Sequence, residues 1–405
     1  MWKYVVENSL KKSILEKVDE IAAVLLTPAG DVEKIGLLDG KMGIALFLFY
    51  YAEFSGDEKY YDRAMELLLN VFDEINEGFD YDTFCMGIAG VGWAVEHLTR
   101  NDFIKADTRE MLAEVDPYIH QAMMRDIQNG HYDYLHGAVG HGIYFLSRLA
   151  HRESEDYLIA FLDELEKRGI KNEDGGVKWR SMVDYDREIE GFNLSLSHGL
   201  ASIIAFLGRL YEAGIRRERA GNLLTGAVRY LLQQQLDTRT SRSIFPRYVC
   251  EQEPPHDSRL AWCYGDLGIG MALWQAAQIV GNIDWQQQAV DILRHSTGRR
   301  DLAASRVKDA CMCHGTAGIA HVFNRMHHYT GIEDFRESAV YWLRQTMEMA
   351  RFDDGCAGFK LWHGKETGGW AAEADLLTGA AGIGLTLLSA AAEIEPRWDR
   401  CLLLS

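Results

Sequence analysis

The chain has 405 residues, 47% of them hydrophobic, and a net charge of −18. That acidic balance excludes a nucleic-acid surface as the default and favours solubility, while the apolar share suffices for a large core. No uncharged apolar run reaches the roughly 18 residues a membrane span needs, which argues against an integral membrane protein. Residues 1–26 do not read as a signal peptide: Lys11, Lys12, Glu16, Lys17, Asp19 and Glu20 interrupt them, and 21–26 is too short for an apolar signal core. Seven cysteines without an export signal point to a reducing cytoplasm rather than a disulfide framework.

Taken in order, the chain begins with an amphipathic stretch at 10–26 and then repeats one unit. Glycine pairs spaced Gly-x-x-Gly stand at Gly40/Gly43, Gly87/Gly90, Gly137/Gly140, Gly265/Gly268, Gly315/Gly318 and Gly379/Gly382, with a degenerate copy, Gly199-Leu200-Ala201-Ser202, after the third. The first glycines recur every 47 to 66 residues, the mark of an array of one supersecondary unit. Each turn leads into an almost wholly apolar run, such as 44–49, 203–207 and 383–388, and a helix apolar on all sides is a buried one. Between them lie helices with one charged face. In 157–167, Leu158, Phe161, Leu162 and Leu165 fall at i, i+3, i+4 and i+7. Buried helices alternating with half-exposed ones predict an all-α fold: one α/α-toroid domain over 1–405, seven inner and seven outer helices. Three excursions break the rhythm. The segment 172–193 reads as a turn with short strands around Asp174-Gly175-Gly176. The segment 244–259 holds Pro246, Pro254 and Pro255 and is expected to be loop. The third, 353–370, is glycine-rich and carries Trp362 and His363. All three are candidate walls of a peptide groove or plain solvated loops.

Position relative to the first glycine sorts the reactive side chains. Cys263 and Cys313 stand two before it, His198, His136 and His314 one before, Asp133 four before and Arg259 six before. In a closed ring, equivalent positions share one rim. Two thiols and an imidazole make a three-ligand zinc set with one open place, but the same cysteines also read as ordinary buried thiols. Cys85 shares the place two before a glycine and is expected to be core. Cys311 competes with Cys313 as a ligand. His120, His131, His327 and His328 have no ligand-like context.

Trp262-Cys263-Tyr264-Gly265, Cys313-His314-Gly315, Ser197-His198-Gly199 and the glycine turns together resemble the lanthionine synthetase C-like family, the lantibiotic cyclases. The resemblance runs from about Leu38 through the tail Trp398-Asp399-Arg400-Cys401-Leu402-Leu403-Leu404. It implies a zinc-bearing toroid that closes thioether rings in a dehydrated precursor peptide. By motif position it implies Cys263, Cys313 and His314 as Zn2+ ligands, His198 as catalytic histidine, Asp133 as its aspartate, and Arg259 and Tyr264 as further active-site residues. Ser202 in place of a second glycine and His136, where a family member carries an acidic residue, are departures.

The chemistry implied is addition of a cysteine thiolate of the precursor (leader plus core) to dehydroalanine or dehydrobutyrine. It leaves an enolate that needs a proton, for which His198 is the candidate donor. With no dehydratase segment beside the resemblance, a separate lanthipeptide dehydratase is expected, together with an exporter, in the cytoplasm or at a membrane through a biosynthetic complex. Rival readings are a relative adding glutathione to dehydroamino acids in proteins, and a non-enzymatic scaffold with structural zinc. A carbohydrate enzyme on the same fold would usually show paired carboxylates, which the rim positions lack.

Overall fold

The computed structural model describes residues 2–27, 32–184 and 186–405, which fall into two compact units. The first comprises 1–81, 85–94 and 300–399, and the second 82–84, 95–299 and 400–405.

In the first unit, the apolar helices α2 (Lys41–Ser55), α13 (Thr316–Thr330) and α15 (Ala380–Ala391) pack side by side in the order α13, α15, α2. Every residue of α15 is buried, as its all-round apolar sequence requires. Against them lie the amphipathic α1 (Asn8–Leu25), α3 (Glu58–Asn76) and α14 (Glu333–Glu348). In α1 only Ile14, Val18, Ile21, Ala22 and Leu25 are buried, one stripe at helical spacing. The helix α4 (Ile88–Arg100) opens in this unit and closes in the second.

The second unit repeats the scheme. There α7 (Ala138–Ser147), α9 (Leu200–Glu212) and α11 (Asp266–Val280) form the buried series, α9 packing on both others. Outside them run α6 (Val115–Gln128), α8 (Arg152–Arg168), α10 (Arg217–Leu232) and α12 (Ile283–Ser296), with a single turn, α5 (Thr108–Met111), before α6. The stripe expected in 157–167 is the one found, with Leu158, Phe161, Leu162 and Leu165 all buried in α8. Among the described residues, seven helices follow a glycine turn and seven are amphipathic partners.

The glycines are explained by close approach. A Cβ on Gly43, Gly140, Gly268, Gly318 or Gly382 would collide with the carbonyl of the residue six places earlier: Leu37, Tyr134, Trp262, Met312 or Leu376. The segment before each buried helix therefore curls back over its first turn. Gly265 adds a second reason, since its φ of 89° is left-handed. In the degenerate copy Ser202 is buried and donates its hydroxyl to the Gly199 carbonyl at 2.7 Å.

Curled segments of this kind bond to their neighbours at the position two before the glycine. In the first unit Cys313 N–H donates to the Leu377 carbonyl (2.9 Å), Leu377 N–H to Leu38 (2.8 Å) and Leu38 N–H to Cys85 (2.9 Å). In the second, Leu196 and Ser197 N–H both donate to the Cys263 carbonyl, at 3.1 and 3.3 Å. Within each unit, then, equivalent positions of successive repeats stand next to one another. Cys85 is buried in this ladder, as its core reading expected.

The excursions carry short antiparallel strands. β1 (Ile170–Lys171) pairs with β2 (Val177–Lys178), and β6 (Leu361–Trp362) with β7 (Trp370–Ala371). A three-stranded sheet is ordered β3 (Ser181–Asp184), β4 (Ile189–Asn193), β5 (Tyr248–Val249). The last strand corrects the expectation that 244–259 is loop throughout. The prolines flank a Tyr-Val pair that is free to pair with Phe192 and Asn193.

Candidate functional site

His198 and Asp133 enter the site from two curled segments of the second unit. Asp133 precedes α7; its Oδ1 accepts from the N–H groups of Leu135 (2.7 Å) and His136 (2.9 Å), an Asx turn that fixes the carboxylate. Its Oδ2 meets His198 Nδ1 at 2.6 Å. The His198 backbone is fixed in turn, donating to Ser195 Oγ at 3.1 Å, while Asn193 Oδ1 accepts from Ser195 N–H at 3.0 Å.

Burial alone would raise the Asp133 carboxyl, but the hydrogen bond and charge of His198 hold it below the usual carboxylate range. Burial would likewise lower the His198 imidazole; Asp133 overrides it and raises the ring above its ordinary value. Tyr264 lies beside this pair, its ring centroid 5.6 Å from that of His198. Burial pushes its phenol up to about 12, the Asn193 side chain opposing, so the hydroxyl keeps its proton at neutral pH.

These three side chains line a cleft of about 620 Å³, with His136, Arg180 and Glu190 also on its wall and 181–183 of β3 along one side. The His136 ring stacks toward His198, centroids 6.2 Å apart and planes 20° from parallel. His131, expected to be a surface or core residue, is half-exposed and lines the same cleft. Arg259 is half-buried, makes no side-chain hydrogen bond or ion pair among the described residues, and is not among the residues lining the cleft. Cys263 sits in the same unit, 5% exposed, in a segment anchored by Trp262, whose indole donates to the Leu402 carbonyl at 2.8 Å.

The first unit presents Cys313 and His314 from the segment before α13. A Cys313 sulfur and a His314 ring nitrogen lie within 4.8 Å of each other, a spacing one metal ion can bridge. Asp309 braces this segment: Oδ1 accepts from Cys311 N–H (3.2 Å), Oδ2 from Trp362 N–H (3.2 Å), and Oδ2 stands 3.7 Å from His314 Nε2. That carboxylate faces the His314 ring from beyond hydrogen-bonding distance. Cys311, with Asp309 and His314, forms a second grouping. It is fully buried, and burial pushes its thiol up. The donor chemistry fits zinc: thiolate and imidazole together, with a thiol at the matched position of the Trp262-Cys263 segment.

Sequence reasoning passed over His131, Asn193 and Asp309. All three stand six before a first glycine, the place where the curled segment begins, and Arg259 shares it. That register was the available signal.

A model of the lanthionine synthetase C-like protein family matches residues 31–403. The chain belongs to the lanthionine synthetase C-like family. Among solved structures, a nisin cyclase superposes with a TM-score of 0.73 at 17% identity, covering 98% of both chains. That likeness shows the fold, the mostly helical toroid expected from the glycine turns. The GH76A alpha-1,6-mannanase from Salegentibacter sp. HEL1_6 gives 0.48 at 13% identity over 95% of this chain and 100% of that one. A sugar epimerase from ruminal bacterium gives 0.45 at 11% identity, over 94% and 98%.

In this family member the His198–Asp133 pair has a defined pH signature. An imidazole whose folded value is raised contributes stability fully present below its unfolded value of about 6.5 and lost as pH rises through the folded value. A depressed carboxyl contributes above its unfolded value of about 3.9, lost as pH falls through the folded one. The pair is therefore complete between roughly pH 4 and 6.5. In Asp133→Asn, the His198 ring is expected to titrate lower than in the parent, read by NMR of ring-labelled histidine. An unchanged titration would show that Asp133 does not hold the proton there.

Proposed function

We propose that this chain is a zinc-dependent lanthipeptide cyclase, adding cysteine thiolates of a dehydrated precursor to dehydroalanine or dehydrobutyrine. The observation that carries the reading is the His198–Asp133 pair, 2.6 Å apart and lining a cleft with Tyr264, in a chain of the lanthionine synthetase C-like family. The zinc ligands are Cys263, Cys313 and His314, and the catalytic residues His198, Asp133, Tyr264 and Arg259, within one cyclase domain over 1–405. Bound there, Zn2+ would lower the pKa of an incoming thiol and present its sulfur as thiolate.

The chain's own residues account for the rest. As sulfur bonds to the β-carbon, the π pair moves toward the carbonyl and an enolate forms at the α-carbon. Asp133 occupies His198 Nδ1, so the proton to be delivered resides on Nε2. Asp133 raises the imidazole and so favours the protonated ring that can act as donor. The Tyr264 hydroxyl, held protonated, suits the enolate oxygen, and the family resemblance assigns Arg259 to the same charge. The thiol proton goes to solvent, the α-carbon gains one, and mass is unchanged.

The partners under this reading are the leader and core of the precursor, a separate dehydratase and an exporter, with the chain cytoplasmic or recruited to a membrane through them. The test is incubation of the purified protein with a dehydrated, cysteine-containing precursor. Free thiols are expected to fall while mass stays constant, each ring consuming one thiol. Unchanged thiols would overturn the cyclase reading. A mass gain only when glutathione is supplied would favour the glutathione-adding rival.

A further inference from the structure

The second unit holds another cluster of potential ligands that the proposed chemistry does not use. His141, on α7, is completely buried, and neither ring nitrogen has a hydrogen-bond partner among the described residues. Its Nε2 faces Asp82 Oδ1 at 3.5 Å and its Nδ1 faces Asp126 Oδ2 at 3.8 Å. Those separations are too long for hydrogen bonds. One ring nitrogen and one oxygen from each carboxylate lie within 4.8 Å of one another, a spread that a single ion bound through one ring nitrogen can span.

The carboxylates are pinned in this arrangement from behind. Arg125 donates to Asp82 Oδ2 at 2.8 Å and to Asp126 Oδ1 at 2.9 Å, so a single guanidinium holds both outer oxygens and leaves both inner ones toward His141. A proton on His141 would draw those inner oxygens to hydrogen-bonding distance, and they stand off instead. The fixed charges are two carboxylates against one guanidinium, with the titratable His131 ring also facing Asp126 Oδ2 at 3.8 Å. Both carboxylates must be ionised to bind metal. The Arg125 guanidinium on Asp82 Oδ2 favours that ionised form. An approach from solvent exists on the Arg125 side, where that side chain is 55% exposed.

We propose that Asp82, Asp126 and His141 form a second divalent-cation site, independent of the cyclase reading. One imidazole with two carboxylates suits Mn2+, Fe2+ or Zn2+, unlike the thiolate-bearing set, which selects zinc. The ion would be structural. The Asp126 carbonyl accepts from His131 N–H at 2.9 Å, the residue that opens the curled segment carrying Asp133. A cation on Asp126 therefore fixes the base of that segment.

Mn2+ is the probe, because a thiolate site holding zinc does not exchange it for manganese. Purified full-length protein is stripped of loosely bound ions on a chelating resin and titrated with MnCl2, free Mn2+ being read by EPR. One saturable equivalent is expected, with spin-echo modulation from one imidazole nitrogen and a raised melting temperature on binding. Asp126→Asn, checked for folding by circular dichroism, is expected to weaken binding by at least about tenfold. Cys313→Ala is expected to bind Mn2+ as the parent does. No saturable Mn2+ binding by the parent, absence of nitrogen modulation, or parental affinity in folded Asp126→Asn would each overturn the site. The parent titration decides even where the variant does not fold.

Discussion

Cys313→Ala is expected to lose zinc and ring closure together while keeping its fold. The substitution leaves two of three proposed ligands, too few for a stable tetrahedral site that keeps a place for substrate. The Cys313 backbone tie to Leu377 uses its N–H, which alanine retains, so the ladder of curled segments survives. His198 and Asp133 belong to the other compact unit, and their pairing does not depend on this thiol. The expected result is therefore specific: zinc near zero by elemental analysis, an unchanged helical circular dichroism spectrum, and no fall in free thiols with dehydrated precursor. Full zinc retention in Cys313→Ala would refute the ligand assignment and direct attention to Cys311. That thiol shares a grouping with Asp309 and His314, but burial pushes it up. Cys311→Ala with normal zinc is the control.

Which parts of this molecule could be read from residues alone follows from how local their causes are. The buried helices were visible because each needs its own glycine: Gly318 and Gly382 touch carbonyls six residues earlier, a constraint confined to one short segment. The outer helices were visible for the same kind of reason, as the α8 stripe shows. The His198–Asp133 contact joins residues 65 apart. Two things suggested it: the numbered places both hold before a glycine, and the family resemblance that names them as histidine and aspartate; the backbone ladder two before each glycine is what makes those places equivalent within a unit. Strand β5 went unread because pairing with Phe192 and Asn193 outweighs the prolines around it. Asp82, Asp126 and His141 were invisible because they come from a connecting segment, α6 and α7, and no shared register links them.

His198→Asn separates proton delivery from metal binding. Asparagine can keep a hydrogen bond to Asp133 Oδ2 but has no proton to give at neutral pH. The variant is expected to retain about one zinc per chain and to bind dehydrated precursor. Ring closure should slow by roughly 10²–10⁴-fold, the usual contribution of a positioned acid or base. The stability signature should change with it: without the imidazole, its raised titration disappears, and Asp133 loses the neighbour that holds its carboxyl down. Zinc content, free-thiol loss over time and a pH series of melting temperatures read the three effects separately. Loss of zinc in His198→Asn would make the residue a ligand and break the division of labour. Closure at the parental rate would mean that another group delivers the proton. His136 is then the first to test, since its ring stacks toward His198 at 6.2 Å and lines the same cleft. The double variant should fall to the level expected of a site with no acid, while His136→Asn alone should leave the rate near parental if His198 is the donor.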